Sequence, residues 1–160
     1  MTTTAAFGWG NSHLLTTPAG EVDLDPAGQL AVQQTLARYA FALDHGDPVA
    51  LEGVLAEHAT WTASIAGEAE QGPFIGRAAI LDLVREETEA QTEQRRHNLV
   101  NLVFHHAEAD TAVVCAYLML TSNAGGSPTV IATGFYAFTL RHAEGEWRIA
   151  KVFVGLDNAA

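Results

Sequence analysis

Apolar residues along this chain keep two different rhythms, and the change from one to the other divides the sequence. Asp25-Pro26 reads as a helix start, a capping oxygen followed by a proline whose missing N–H costs nothing at the first helical position. Leu30, Leu36, Tyr39, Ala40 and Leu43 then recur at helical spacing, and His45-Gly46 predicts the stop. Asp47-Pro48 repeats the start signal, and Val49, Leu51, Val54 and Leu55 predict a second, shorter amphipathic helix. Beyond it ATWTASIAG predicts a strand and GPFIG a turn. Arg77 to about Glu93 predicts a third helix, with Ile80, Leu81 and Val84 inward and Asp82, Glu86, Glu87 and Glu89 on a solvated face.

From Arg95 onward the sequence turns β-rich. HNLVNLVFHH, TAVVCAYLMLTSN, TVIATGFYAFTLR and EWRIAKVFVG are four such segments, separated by AEAD, AGGSP and HAEGE. These short interruptions favour antiparallel hairpins over crossover helices. Helices first and a meander afterwards predict an α+β fold. The expected architecture is a cone-shaped α+β barrel, in which a curved, mostly antiparallel sheet and three helices from the N-terminal half enclose an apolar cavity of the kind that binds small molecules. Ala112–Leu120 is apolar on both faces, which predicts helices on one side of the sheet and another subunit on the other, hence a homodimer or higher homo-oligomer. Residues 1–25 keep no sustained period and read as an N-terminal arm ahead of a single domain over 26–156.

Composition narrows the partners. Eight Lys and Arg against 19 Asp and Glu leave a net charge of −11, which repels phosphate backbones and anionic headgroups. The expected partner is a small hydrophobic molecule, with no nucleic acid and no membrane. The first Lys or Arg is Arg38 and no apolar leader precedes it, which predicts a cytoplasmic protein. The longest apolar run, Ala112–Leu120, is far short of the ~20 residues of a membrane-spanning helix. The lone Cys115 lies in that run and is expected to be a buried small hydrophobe.

Two residues stand out chemically. Asp44 would place a carboxylate at the negative end of the first helix's dipole, a position disfavoured by ~0.3–1 kcal/mol when exposed. Compensation could come from an Asx-type turn onto His45-Gly46-Asp47, or from direction of the carboxylate into the cone. His97 opens the first long strand, where period two gives it Leu99, Asn101 and Val103 as inward companions. It is either a strand-end histidine bonded to a loop or, with Asp44, a general acid–base unit titrating near working pH. Tyr39, Trp61, Tyr117 and Tyr136 are the aromatics expected near the cavity, with Asn101 and Phe153 as further lining residues. A tyrosine or Asn101 there could donate to a carbonyl oxygen. No metal site is expected: His105 and His106 would point to opposite faces, and His45, His58 and His142 lack spaced partners. No phosphate cradle or dinucleotide fingerprint is present, so no cofactor is implied.

RYAFALDHGDPVALEGVLAEHATW, FIGRAAI, RRHNLVN and GFYAFTLRHAEGEWRI, in this order and spacing, resemble SnoaL-like domains of the nuclear transport factor 2-like superfamily over Leu30 to Val154. The nearest pattern is that of scytalone dehydratase and lindane dehydrochlorinase, with polyketide cyclases as further relatives. The resemblance implies that Asp44 and His97 form a catalytic dyad and that the protein is a cofactor-independent dehydratase, cyclase or isomerase. Its substrate would be a small apolar, carbonyl-bearing or polyketide-like molecule. Where scytalone dehydratase carries a second histidine this chain has Ala116-Tyr117, and Trp61-Thr62-Ala63 stands near its tyrosine-bearing strand. The alternatives are a non-catalytic small-molecule-binding or assembly module, or an accessory subunit resembling the small subunit of ring-hydroxylating dioxygenases.

Overall fold

Capping chemistry sets the helices where the sequence places them. The structure, a computed structural model, describes residues 21–160, so the arm before residue 21 lies outside the described residues. Asp25 accepts the Gly28 N–H at 2.7 Å and starts α1 (Pro26–His45). Gly46 ends it in the left-handed region at φ 57, a conformation that costs glycine little, with its N–H on the Leu43 carbonyl. Asp47 accepts from Val49 and Ala50 N–H and starts α2 (Pro48–Val54). The third helix, α3 (Arg77–Ala90), stops three residues short of Glu93 because Gln91 is already extended.

The strands are β1 (Leu55–Ile65), β2 (Gln71–Ile75), β3 (Gln94–Ala107), β4 (Thr111–Asn123), β5 (Thr129–Ala143) and β6 (Glu146–Leu156). They form one curved sheet in the order β2-β1-β6-β5-β4-β3, antiparallel throughout except for the β1–β6 pair. GPFIG is thus a strand rather than a turn. Pro73 offers no N–H to a ladder, and an edge position tolerates that lack. β2 and β3 are the two free edges, so the expected barrel is an open cone. Glu21 and Asp23 pair with Ala107 at the far end of β3, tying the start of the described chain to that edge.

The helices cover the concave face. Val32, Leu36, Tyr39, Ala40 and Ala42 are the buried apolar residues of α1, and all but Ala40 join Phe138, Leu140, Ile149 and Val152 of the sheet in one core. Leu30, expected inward, is 65% exposed; Val32, two residues on, takes the core position.

Two bulges reset which side chains face inward. On β3, Val100 pairs with Tyr117 but Val103 pairs with Cys115, and Asn101 takes the left-handed φ of 53 to absorb the extra residue. The inward series therefore runs His97, Leu99, Leu102, Phe104, while Asn101 and Val103 are exposed. On β6 a bulge separates Ile149 from Lys151, so Val152 and Val154 face the core and Lys151 and Phe153 face away.

Gly134 on β5 and Gly155 on β6 permit the curl. A Cβ on Gly134 would run into the Gly155 carbonyl, and one on Gly155 would strike the Phe135 ring. Gly134→Ala is expected to cost ~1–3 kcal/mol by forcing the two strands apart, read as a lower urea midpoint with unchanged slope.

Candidate functional site

The last turn of α1 and the first residues of β3 are stitched together by one carboxylate. Asp44 Oδ1 accepts the His97 backbone N–H at 2.9 Å and lies 2.7 Å from His97 Nδ1, while Oδ2 is 3.2 Å from the same N–H. Gln94 adds a side-chain N–H to the Asp44 main-chain carbonyl at 2.9 Å. Both side chains are largely withdrawn from water, 7% exposed for Asp44 and 17% for His97. The donors from β3, rather than an Asx turn, offset the unfavourable end of the helix dipole. A carboxylate is an acceptor, so Nδ1 carries the hydrogen and Nε2 is left with its lone pair.

His97 borders two spaces. Inside the cone a cavity of about 370 Å³ is walled by His97, Tyr39, Trp61, Tyr136, Leu118 and Leu120, among others, with Ala160 also at its border. Outside, a groove of about 400 Å³ runs between α1 and β3, with Asp44, His97, Phe41 and Leu99 in its lining.

The aromatic wall is organised by hydrogen bonds and ring packing. Trp61 Nε1–H donates to the Tyr39 hydroxyl at 3.2 Å, and the Tyr136 hydroxyl interacts with that of Tyr39. The Tyr39 ring meets Tyr136 and Phe138 edge-on, at centroid distances of 6.1 and 5.7 Å. Burial holds both phenols far above their usual range, so each keeps its proton as a donor. Indole N–H can only donate, so the Tyr39 oxygen accepts from Trp61, and the bond between the Tyr39 and Tyr136 hydroxyls uses one of their two hydrogens and leaves the other to be given to a ligand oxygen.

Of the residues expected at the cavity, Tyr39, Trp61 and Tyr136 line it together with His97. Asn101, Tyr117 and Phe153 do not. Asn101 is turned out by the β3 bulge. Tyr117 is 51% exposed because β4 alternates and Ala116 and Leu118 take the inner face. Phe153 is buried on the opposite side of the sheet, stacked on Phe135 at 5.8 Å.

Glu87 and Arg95 are the residues the sequence reading missed. Glu87 is exposed, as its place beside Glu86 on a solvated helical face predicts, and its position also borders the cavity together with Arg95. Desolvation raises the Glu87 carboxyl above its ordinary range, and the Arg95 and His97 charges oppose the rise. Arg95 pairs through Nε with Glu93 at 2.7 Å. The available signal was strand parity: Arg95 is two residues before His97 and shares its face. No group of His, Cys, Asp and Glu able to hold a metal ion occurs among the described residues. None of the described helices is long and apolar enough to cross a membrane.

The helix-capped cone defines a class of protein, and comparison with known proteins agrees. The SnoaL-like domain family matches residues 27–152, and the chain belongs to that family. No functionally curated protein matches it. Among solved structures, a Novosphingobium aromaticivorans protein provisionally described as an aromatic ring hydroxylase is 26% identical, with TM-score 0.68 over 83% of this chain and 91% of its own. A Catenulispora acidiphila protein solved in complex with S-DNPA is 24% identical, with TM-score 0.71 over 83% and 96%. A second N. aromaticivorans protein, provisionally described as a scytalone dehydratase, is 17% identical, with TM-score 0.65 over 81% and 84%. Neighbours of this fold are described as cystatin-like and nuclear transport factor 2-like.

Proposed function

We propose that the protein is a cofactor-independent acid–base enzyme of the dehydratase, cyclase or isomerase type, acting on a small apolar, carbonyl-bearing or polyketide-like molecule. The observation that carries this reading is the 2.7 Å contact between Asp44 and His97 Nδ1 on the wall of an aromatic-lined cavity. The family includes cofactor-free dehydratases and cyclases, and one structural neighbour was solved with S-DNPA bound. A cavity of about 370 Å³ falls within the ~300–1,000 Å³ range of small-molecule sites.

In this mechanism Nε2 of His97 takes a proton from the carbon beside the substrate carbonyl. The freed electron pair moves onto the carbonyl oxygen, where the remaining O–H of the Tyr39–Tyr136 pair donates to the developing charge. The enolate then expels a leaving group, attacks an electrophilic carbon within the same molecule, or is reprotonated elsewhere. Asp44 fixes the tautomer throughout and stabilises the imidazolium.

The test begins with ¹⁵N NMR of the His97 ring. Wild type should show a neutral Nδ1–H tautomer, and a folded Asp44→Asn variant should lose that preference. Incubation with a panel of small cyclic hydroxyketones and polyketide-derived phenols, followed by mass spectrometry, supplies the chemical readout. An unaltered His97 tautomer in folded Asp44→Asn would remove the dyad.

A further inference from the structure

We propose that the convex face of the sheet is the interface of a two-fold dimer, and that the partner it takes is a second copy of this chain. The helices occupy the concave side, which leaves the long strands to present their outward residues on the other. The ladders align these residues in apolar rows. Val100 stands opposite Tyr117, and Tyr117 opposite Phe135. Val103 stands opposite Cys115, and that row continues through Ala137 to Phe153. Phe135 and Phe153 are buried, whereas Val100, Val103, Tyr117 and Met119 keep between 39% and 51% of their surface exposed. A single exposed apolar side chain is ordinary, but four on adjacent strands make a patch of the kind that marks an interaction surface.

Charge selects the occupant. The chain carries −11, so two copies repel over most of their surfaces. β3, β4 and β5 hold no Asp or Glu, and β6 holds only Glu146, at its first residue and paired with Arg148. The carboxylates of α3, by contrast, belong to the helical layer on the other side of the sheet. Packing two sheets back to back therefore keeps those carboxylates apart and joins the broad surface that lacks them. A phosphate backbone or an anionic headgroup asks for cations in the middle of its site. Here they flank it: Arg96 lies in the row beyond Met119, and Lys151 in the row beyond Phe153. An uncharged centre with a charged border is the anatomy of a protein interface.

Size agrees as well. The four long strands, ~4.8 Å apart and at least 11 residues long at ~3.3 Å per residue, offer a face of roughly 700 Å². Each partner gives ~800 Å² to a standard interface. In a two-fold pairing the same rows serve both copies, with the sheets packed face to face. β3 and β5 carry His97 and Tyr136 on their inner side, so the dimer braces that wall of the cavity from outside.

The experiment is sedimentation of the full chain from low to high micromolar concentration, in wild type, Tyr117→Phe, Tyr117→Glu, Met119→Lys and Val49→Lys. Wild type should sediment as a dimer, and its Kd should fall between ~0.05 M and ~0.5 M salt, because screening removes repulsion between two anions. Tyr117→Glu and Met119→Lys each put a charge into the patch twice over. Each should raise Kd by about 100-fold or more while the amide spectrum stays that of wild type. Tyr117→Phe keeps the ring and should remain dimeric. Val49, exposed on α2, supplies the control, and Val49→Lys should leave Kd unmoved. A wild type that stays monomeric at high micromolar concentration overturns the proposal, whether another protein or the arm before residue 21 takes the face. So does a dimer that survives the charged substitutions, one that Val49→Lys dissociates equally, or one that salt weakens. Each of these results leaves the acid–base reading standing, since no residue of the convex face enters that chemistry.

Discussion

A folded His97→Gln variant is expected to lose turnover by about 10²–10⁴-fold with little change in KM. Gln keeps much of the bulk and can still donate to Asp44 Oδ1, so the stitch between α1 and β3 survives through the backbone N–H at 2.9 Å. What disappears is the nitrogen lone pair that receives a proton. The corresponding barrier is about 3–5 kcal/mol, within what one general base supplies. The separation of kcat from KM matters because Leu118, Leu120 and the aromatic wall, which bind the apolar body of a ligand, are untouched. Once a substrate is in hand, steady-state kinetics on a variant with a wild-type amide spectrum decide the matter. Undiminished kcat would remove His97 from the chemistry.

Phe138→Ala should carry the largest cost in stability. The ring is 1% exposed, stacks on Tyr136 at a centroid distance of 5.0 Å, and meets Tyr39 edge-on at 5.7 Å. Truncation removes a fully buried aromatic and leaves a cavity that the sheet cannot collapse around, at ~3–5 kcal/mol. For a chain of this size that corresponds to a fall in Tm of about 6–20 °C. Because Tyr39 and Tyr136 lean on this ring, ligand binding should weaken as well, even in the variant fraction that remains folded. Calorimetry on wild type, Phe138→Leu and Phe138→Ala should give a graded series. A loss below ~1 kcal/mol for the alanine variant would mean that the aromatic cluster does not behave as core.

The fold was legible in the sequence wherever the signal was local. Asp-Pro twice over announced two helix starts, and the turn residues between the last four strands announced the hairpins. The family likeness over Leu30 to Val154 is matched by the family's span over 27–152. Asp44 and His97, far apart in the chain, were singled out by a dipole conflict and a strand-end imidazole, and the fold brings them together. Legibility failed where one residue changes the phase of a strand. Period counting cannot see the extra residue at Asn101 or between Ile149 and Lys151, so Asn101, Val103 and Phe153 were assigned the wrong face. Tyr117 failed for a different reason: β4 is apolar on both faces, and composition does not say which face the helices cover. Glu87 is solvated, as a glutamate among glutamates suggests, and only the tertiary position of α3 shows that it also borders the cavity.

The double exposure of His97 has a consequence for how the site would be reset between turnovers. Its ring is the partition between an interior chamber and a furrow on the outside of the molecule, and Asp44 borders the furrow but not the chamber. In the proposed reaction the proton collected on Nε2 leaves again on the chamber side, because Asp44 keeps the Nδ1 hydrogen in place from the furrow side. Substrate and proton would then share one door, with the furrow only bracing the imidazole from behind.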